Sequence, residues 1–94
     1  MYRRYHDRRL ERFAAGQFVK EFSGFARTLE RRLHALDAAT SLADIGSIPG
    51  HRLESLVGDR AGQFSIRIND QYRLCFEWPD DEIRSVRLEV VDYH

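Results

Sequence analysis

A single cysteine, Cys75, excludes an internal disulfide, so whatever holds this chain together is packing rather than cross-linking. Cys75 lies in a strand-like run and reads as a small buried residue rather than a nucleophile. Long apolar runs are missing as well: none approaches the roughly 20 residues that a membrane-spanning helix requires. Met1-Tyr2-Arg3-Arg4-Tyr5-His6 leads into charged residues and not into the apolar stretch of a signal peptide. A cytoplasmic protein without membrane contact is the expectation. Repeats, low-complexity tracts and linkers are absent. So are CxxC, HExxH and aspartate clusters that would hold a metal, a phosphate-binding glycine loop, and a GxSxG nucleophile. Lysine is nearly lacking, since Lys20 is the one lysine among fifteen basic residues.

What is present is enough for one domain, residues 1–94, with one core. A hydrophobic share of 43% and eleven aromatic residues argue against disorder. Net charge is zero but unevenly spread. Residues 1–34 hold nine Lys/Arg against four Asp/Glu, and residues 35–94 hold six against eleven. Fourteen arginines supply planar forks suited to phosphate, carboxylate and stacked bases.

Tyr2 to Tyr5 can form a short edge strand. Asp7 can cap a short helix bearing Leu10, Phe13 and Ala14 and stopping near Gly16. A longer helix is expected from near Ser23, because Phe22, Phe25, Ala26, Leu29, Leu33 and Leu36 recur at the spacing of one helical face. Arg27, Glu30, Arg31 and His34 then point away from the core. Asp37 to Gly50 is a connector with a single turn at Ser41 to Ile45, ended by Pro49-Gly50. Leu53 to Val57 reads as a short strand, followed by a turn from Gly58 to Gly62. Phe64, Ile66 and Ile68 alternate with Ser65, Arg67 and Asn69, the period of a half-buried strand. After the turn Asn69-Asp70-Gln71, Tyr72, Leu74, Phe76 and Trp78 share one face and Arg73, Cys75 and Glu77 the other. Pro79 to Glu82 makes a second hairpin turn, and the last strand runs from about Ile83 to Val91. The fold class is therefore α+β, with two N-terminal helices packed on a mostly antiparallel twisted sheet. One sheet face meets the helices; the other stays partly open and carries arginines.

Arg67 and Arg73 flank one turn and project to the same face. Arg60 lies in the preceding turn. Directly after the apolar run Val86-Arg87-Leu88-Glu89-Val90-Val91 come Asp92, Tyr93 and His94, expected at one end of the same sheet. Guanidinium groups, an acid, a phenol and an imidazole around one concave surface fit metal-free cleavage of RNA. The 2′-OH supplies the nucleophile, so the protein needs a proton acceptor, a proton donor and a cation to offset charge on the phosphorane-like transition state. His94 or Asp92 can move protons, Arg73 can hold the phosphate, and Tyr93 can stack on or orient a base. Each also has a plain structural reading: Arg73 paired with Glu77 or Asp92, His94 solvated, Asp92 capping a turn.

The same residues carry a family resemblance. Gly58-Asp59-Arg60-Ala61-Gly62-Gln63-Phe64-Ser65-Ile66-Arg67-Ile68-Asn69-Asp70-Gln71-Tyr72-Arg73-Leu74-Cys75-Phe76 resembles the core of HigB toxins of the RelE superfamily, which commonly reads close to GDRxGxWSIRINxxWRIxF. Leu36-Asp37-Ala38-Ala39-Thr40 is similar to the family's connector, and Asp92-Tyr93-His94 to its DYH ending. The resemblance spans nearly the whole chain. It implies the toxin of a type II toxin–antitoxin pair that enters the ribosomal A site and cuts mRNA during translation, with a RelE-like, microbial-RNase-like fold. It implies a HigA-like helix-turn-helix antitoxin, operator DNA reached only through that antitoxin, and no cofactor or metal. By matching positions, Arg73, Asp92, Tyr93 and His94 are the catalytic residues, with Arg60 and Arg67 binding RNA. The arginines of the N-terminal half, Arg27 and Arg31 among them, fit contact with ribosomal RNA, or else a solvated helix face. The chain departs from the family at Val57, where many relatives have lysine, and more mildly at Phe64 and Tyr72, where tryptophan is frequent. Two other outcomes stay open: a ParE-like toxin that inhibits DNA gyrase, and a catalytically weakened member kept for antitoxin binding.

Overall fold

The computed structural model describes residues 4–79 and 84–93. Helix α1 spans Arg8–Ala14, and the Asp7 carboxylate caps it by accepting from the Arg9 main-chain N–H at 3.0 Å. Gly16, at φ +93°, then turns the chain, a conformation that glycine adopts without penalty. The second helix does not start at Ser23. The Ser23 hydroxyl donates back to the Lys20 carbonyl at 2.8 Å and closes a 3-10 turn over Lys20–Phe25. Phe25, at φ −138°, breaks the helical path before α2 begins, Ala26–Ala38. The anticipated turn in the connector is a short third helix, α3, Leu42–Gly46, with the Ser41 hydroxyl accepting from the Asp44 N–H.

Four strands follow in the order β1-β2-β3-β4: β1 Glu54–Ser55, β2 Gln63–Arg67, β3 Tyr72–Glu77 and β4 Val86–Asp92. All neighbours are antiparallel. β1 is shorter than the Leu53–Val57 expected, because Arg52 is left-handed (φ +49°) on one side and Gly58–Arg60 coils into a 3-10 turn on the other. β4 starts at Val86. Residues 80–83, which include most of the second hairpin turn and the expected strand start at Ile83, lie outside those described. A bulge between β3 and β4 places Arg87 at φ +54° and shifts the register from Cys75↔Glu89 to Glu77↔Val86. Of the edge strand expected over Tyr2 to Tyr5, Tyr5 forms an isolated parallel bridge to Leu88, and Tyr2 and Arg3 lie outside the described residues. Arg4 ties the segment down through Ser85 and Asp37.

The period-2 pattern of the strands decides what is buried. Ile66, Ile68, Leu74, Phe76, Leu88 and Val90 face the helices and pack with Leu10, Phe22, Leu29, Leu33 and Leu36. Each such side chain contributes about 1.5–3 kcal/mol by leaving water. The Phe25 ring packs tilted on Tyr72 at 4.8 Å between centroids, joining the 3-10 turn ahead of α2 to β3. With this face committed to the core, Ser65, Arg67, Arg73, Cys75 and Glu89 are left on the other. Among the described residues no helix is long and apolar enough to cross a membrane.

Candidate active site

The register assembles the open face. Glu54 of β1 stands opposite Ser65 of β2, Ser65 opposite Cys75 of β3, and Cys75 opposite Glu89 of β4. One row of side chains thus crosses the whole sheet with a carboxylate at each end. In the next row Arg67 is opposite Arg73, as the flanking of one turn led us to expect.

Arg73 is the centre of this face, and it is nearly buried, 8% exposed. Its Nε–H donates to Ser65 Oγ at 2.8 Å, and Nη2 donates to the main-chain carbonyls of Arg52 at 2.6 Å and Ser65 at 3.3 Å. Nη1 faces the Glu54 carboxylate at 3.6 Å. The guanidinium carbon lies 5.8 Å from the centre of the Tyr93 ring. Neither suggested structural partner holds Arg73: Glu77 pairs with Arg87 at 3.6 Å, and Asp92 accepts from Gln71 Nε2 at 3.1 Å.

Arg60, at the end of the 3-10 turn, donates to Glu89 Oε1 at 2.7 Å and to Gln63 Oε1 at 2.9 Å. The hydrogen bond to Glu89 raises its pKa further, so it stays a fixed cation. Burial pushes the Tyr93 phenol up, as does the neighbouring Cys75, against the opposing charges of Arg60 and Arg73. Tyr93 is therefore a neutral hydrogen-bond donor near pH 7. Beneath it, burial raises the Cys75 thiol to about 11. That fits the reading of a buried, unreactive residue, fully inaccessible to solvent.

The sequence-predicted residues fall into three groups. Arg73, Tyr93 and Arg60 come together: the charges of both arginines act on Tyr93. Arg67 shares the face, but its guanidinium turns to Asp70 in the adjacent hairpin. Asp92 is separated from Tyr93. It pairs in register with Tyr72, whose ring packs on Phe25 of the 3-10 turn, while the Tyr93 N–H continues the ladder to the Gln71 carbonyl at 2.7 Å. Asp92, exposed at the end of β4, thus sits opposite Tyr72, while Tyr93 follows beyond the strand beside Arg73. His94 lies outside the described residues. Arg27 and Arg31 are exposed on α2, across the sheet from Arg73. Sequence reasoning missed Glu54, Glu89, Ser65 and the Arg52 carbonyl. The alternation in β2 already put Ser65 on the Arg73 face; the other three depend on register and loop path.

A helix layer covers one face of an antiparallel sheet, and an arginine–phenol cluster lies on the other: a small α+β fold of the two-layer class. The fold is similar to that of a chain in the YoeB–YefM complex from Staphylococcus aureus (TM-score 0.58, 20% identity, 97% of this chain and 93% of that one) and to that of a YoeB/ParE toxin from Agrobacterium tumefaciens (TM-score 0.52, 22% identity, 98% and 94%). These likenesses concern the fold. Sequence goes further: residues 3–94 match the family described as RelE-like toxin of type II toxin-antitoxin system HigB. Toxin HigB-1 of Vibrio cholerae serotype O1 is 47% identical over 71 residues, 76% of this chain and 75% of that protein. An uncharacterised protein of Haemophilus influenzae is 31% identical over 72 residues, 77% and 71% of the two chains. The chain belongs to the HigB-like family of type II toxins.

Proposed function

We propose that this toxin is a ribosome-dependent endoribonuclease that cuts translated mRNA in the A site, without a metal, by attack of a ribose 2′-OH on the adjacent phosphorus. The observation that carries this reading is Arg73, a preorganised cation on the open face with a phenol above it and a carboxylate 3.6 Å away. In the reaction the 2′-O–P bond forms and the P–O5′ bond breaks, giving a 2′,3′-cyclic phosphate and a 5′-OH. One proton leaves the 2′-OH and one reaches the departing oxygen. Arg73 offsets the charge that builds on the phosphorane oxygens. Glu54, beside Arg73, is placed to accept the first proton. Tyr93 stacks on or orients a base, and His94, next in the chain, delivers or accepts a proton. Asp92 acts from the strand end through Gln71 rather than at the phosphate. Arg60 and Arg67 bind flanking phosphates once they exchange Glu89 and Asp70 for RNA. Arg27 and Arg31 contact ribosomal RNA from the helix layer, a salt-sensitive contribution. The partner that silences the toxin is a HigA-like helix-turn-helix antitoxin, which alone touches operator DNA.

Purified protein added to a reconstituted translation reaction tests this, with mRNA 5′ ends mapped by primer extension with and without ribosomes. In-frame cuts that require ribosomes and vanish with Arg73→Ala are expected. An intact message from folded protein would refute the reading and direct attention to gyrase inhibition or to loss of the lysine at Val57.

A further inference from the structure

Arg73 is aimed by a segment with no part in the chemistry. Between α3 and β1 the chain passes Gly50 (φ +86°) and then Arg52 at φ +49°, a region that non-glycine residues seldom occupy. His51, between them, is 1% exposed. Its ring Nδ1–H donates to the Ile45 carbonyl at 3.0 Å, binding the connector to the end of α3. Its own carbonyl accepts from the Arg67 N–H at 2.6 Å, fastening the connector to β2. The Arg67 carbonyl in turn accepts from Arg32 Nε of α2 at 2.8 Å. Burial, with the nearby Arg32 charge, lowers the His51 pKa against the Ile45 hydrogen bond, so the imidazole is neutral and suited to this role. Together these ties fix the Arg52 carbonyl 2.6 Å from Arg73 Nη2.

We infer that the His51–Arg52 segment is the positioning device for Arg73: the buried imidazole anchors the connector, and the left-handed turn aims a main-chain carbonyl at the guanidinium. A carbonyl suits this task because it orients the fork without cancelling its charge. A buried carboxylate in its place would bind the same edge bidentately and compete with phosphate for the cation. With Nε and Nη2 held by Ser65 and Arg52, the Nη1 side stays turned toward Glu54 and the open face. Arg52 and His51 are positioning residues and touch no substrate.

The inference rests on Arg73 meeting the phosphate, and its test separates the two ideas. Arg52 is exposed, so substitutions there spare the core. Glycine accepts φ +49°, whereas proline is locked near −65° and must swing the carbonyl away. Both remove the Arg52 charge equally. The Arg73 Nε–H resonance, assigned by its loss in Arg73→Lys, is followed by ¹⁵N NMR in folded Arg52→Gly and Arg52→Pro. It should keep its position and slow exchange in the glycine variant and move or broaden in the proline variant. In the ribosome assay the proline variant should have a kcat on the order of 100-fold below the glycine variant with a similar KM, as a misplacement of about 1 Å produces. His51→Asn, which retains an N–H near the Nδ1 position, should preserve the signal that His51→Leu disturbs. Identical Arg73 signals in the glycine and proline variants would overturn the inference, whatever the cleavage assay shows. A wild-type protein that cuts no message, with the signals behaving as described, would overturn the function and leave the positioning intact.

Discussion

Replacing Ser65 with alanine removes the hydroxyl that accepts from Arg73 Nε at 2.8 Å. Ser65 is fully buried and Arg73 8% exposed, so water does not readily take the lost place. A hydrogen bond to a charged group contributes about 1.5–3 kcal/mol, and the N–H left behind costs its desolvation. A loss near 2 kcal/mol corresponds to a fall in Tm on the order of 10 °C for a domain of this size. The single variant alone would mix this with the small loss of packing, so the sharper experiment is a double-mutant cycle. Ser65→Ala, Arg73→Met and the double variant are unfolded in urea beside wild type, methionine preserving most of the length of the arginine. If the hydroxyl acts through Arg73, Ser65→Ala costs little once Arg73 is gone, and the coupling is about 1.5–3 kcal/mol. Additivity within about 0.5 kcal/mol, the behaviour of independent sites, would refute the claim that Ser65 holds the guanidinium.

Three further outcomes follow from the structure. Burial raises the Asp7 carboxyl pKa, but hydrogen bonds from Arg9 and Val90 with the Arg9 charge outweigh it, and the net shift is downward. Its stabilisation is therefore full above the ordinary carboxylate value and lost as pH falls through the lower folded value. Asp7→Asn keeps the cap but loses the charged pair with Arg9, at a cost of up to about 1 kcal/mol at pH 7, and urea titrations should show the gap to wild type closing below about pH 4. Cys75, fully buried with a thiol pKa of about 11, should resist a thiol-reactive probe at pH 8 in the native protein and react at once in denaturant; rapid native labelling would contradict its burial under Tyr93. Val57 is 84% exposed, two residues beyond β1, so Val57→Lys should leave stability within about 0.5 kcal/mol. The added cation should tighten ribosome binding and steepen its salt dependence in a filter assay, and unchanged binding would count against a phosphate contact there.

Local periodicity determined much of this protein by itself. The helical spacing from Phe22 to Leu36 and the alternation from Phe64 to Trp78 identified the core, since burial repeats with the geometry of each element. The same alternation put Ser65, Arg67 and Arg73 on one face, and Asp7 announced a helix start through a side-chain oxygen that reaches the next turn. Tertiary structure decided the rest. Glu54 and Glu89 reach Arg73 and Arg60 only through the register of strands distant in sequence, and a bulge at Arg87 adjusts that register. Asp92 and Tyr93 are neighbours in the chain, yet the register pairs Asp92 with Tyr72 at the strand end while Tyr93, beyond it, lies by Arg73. The aim of Arg73 depends on a left-handed residue in a loop, a conformation that no local preference of arginine announces and that only the buried His51 and its long-range partners impose.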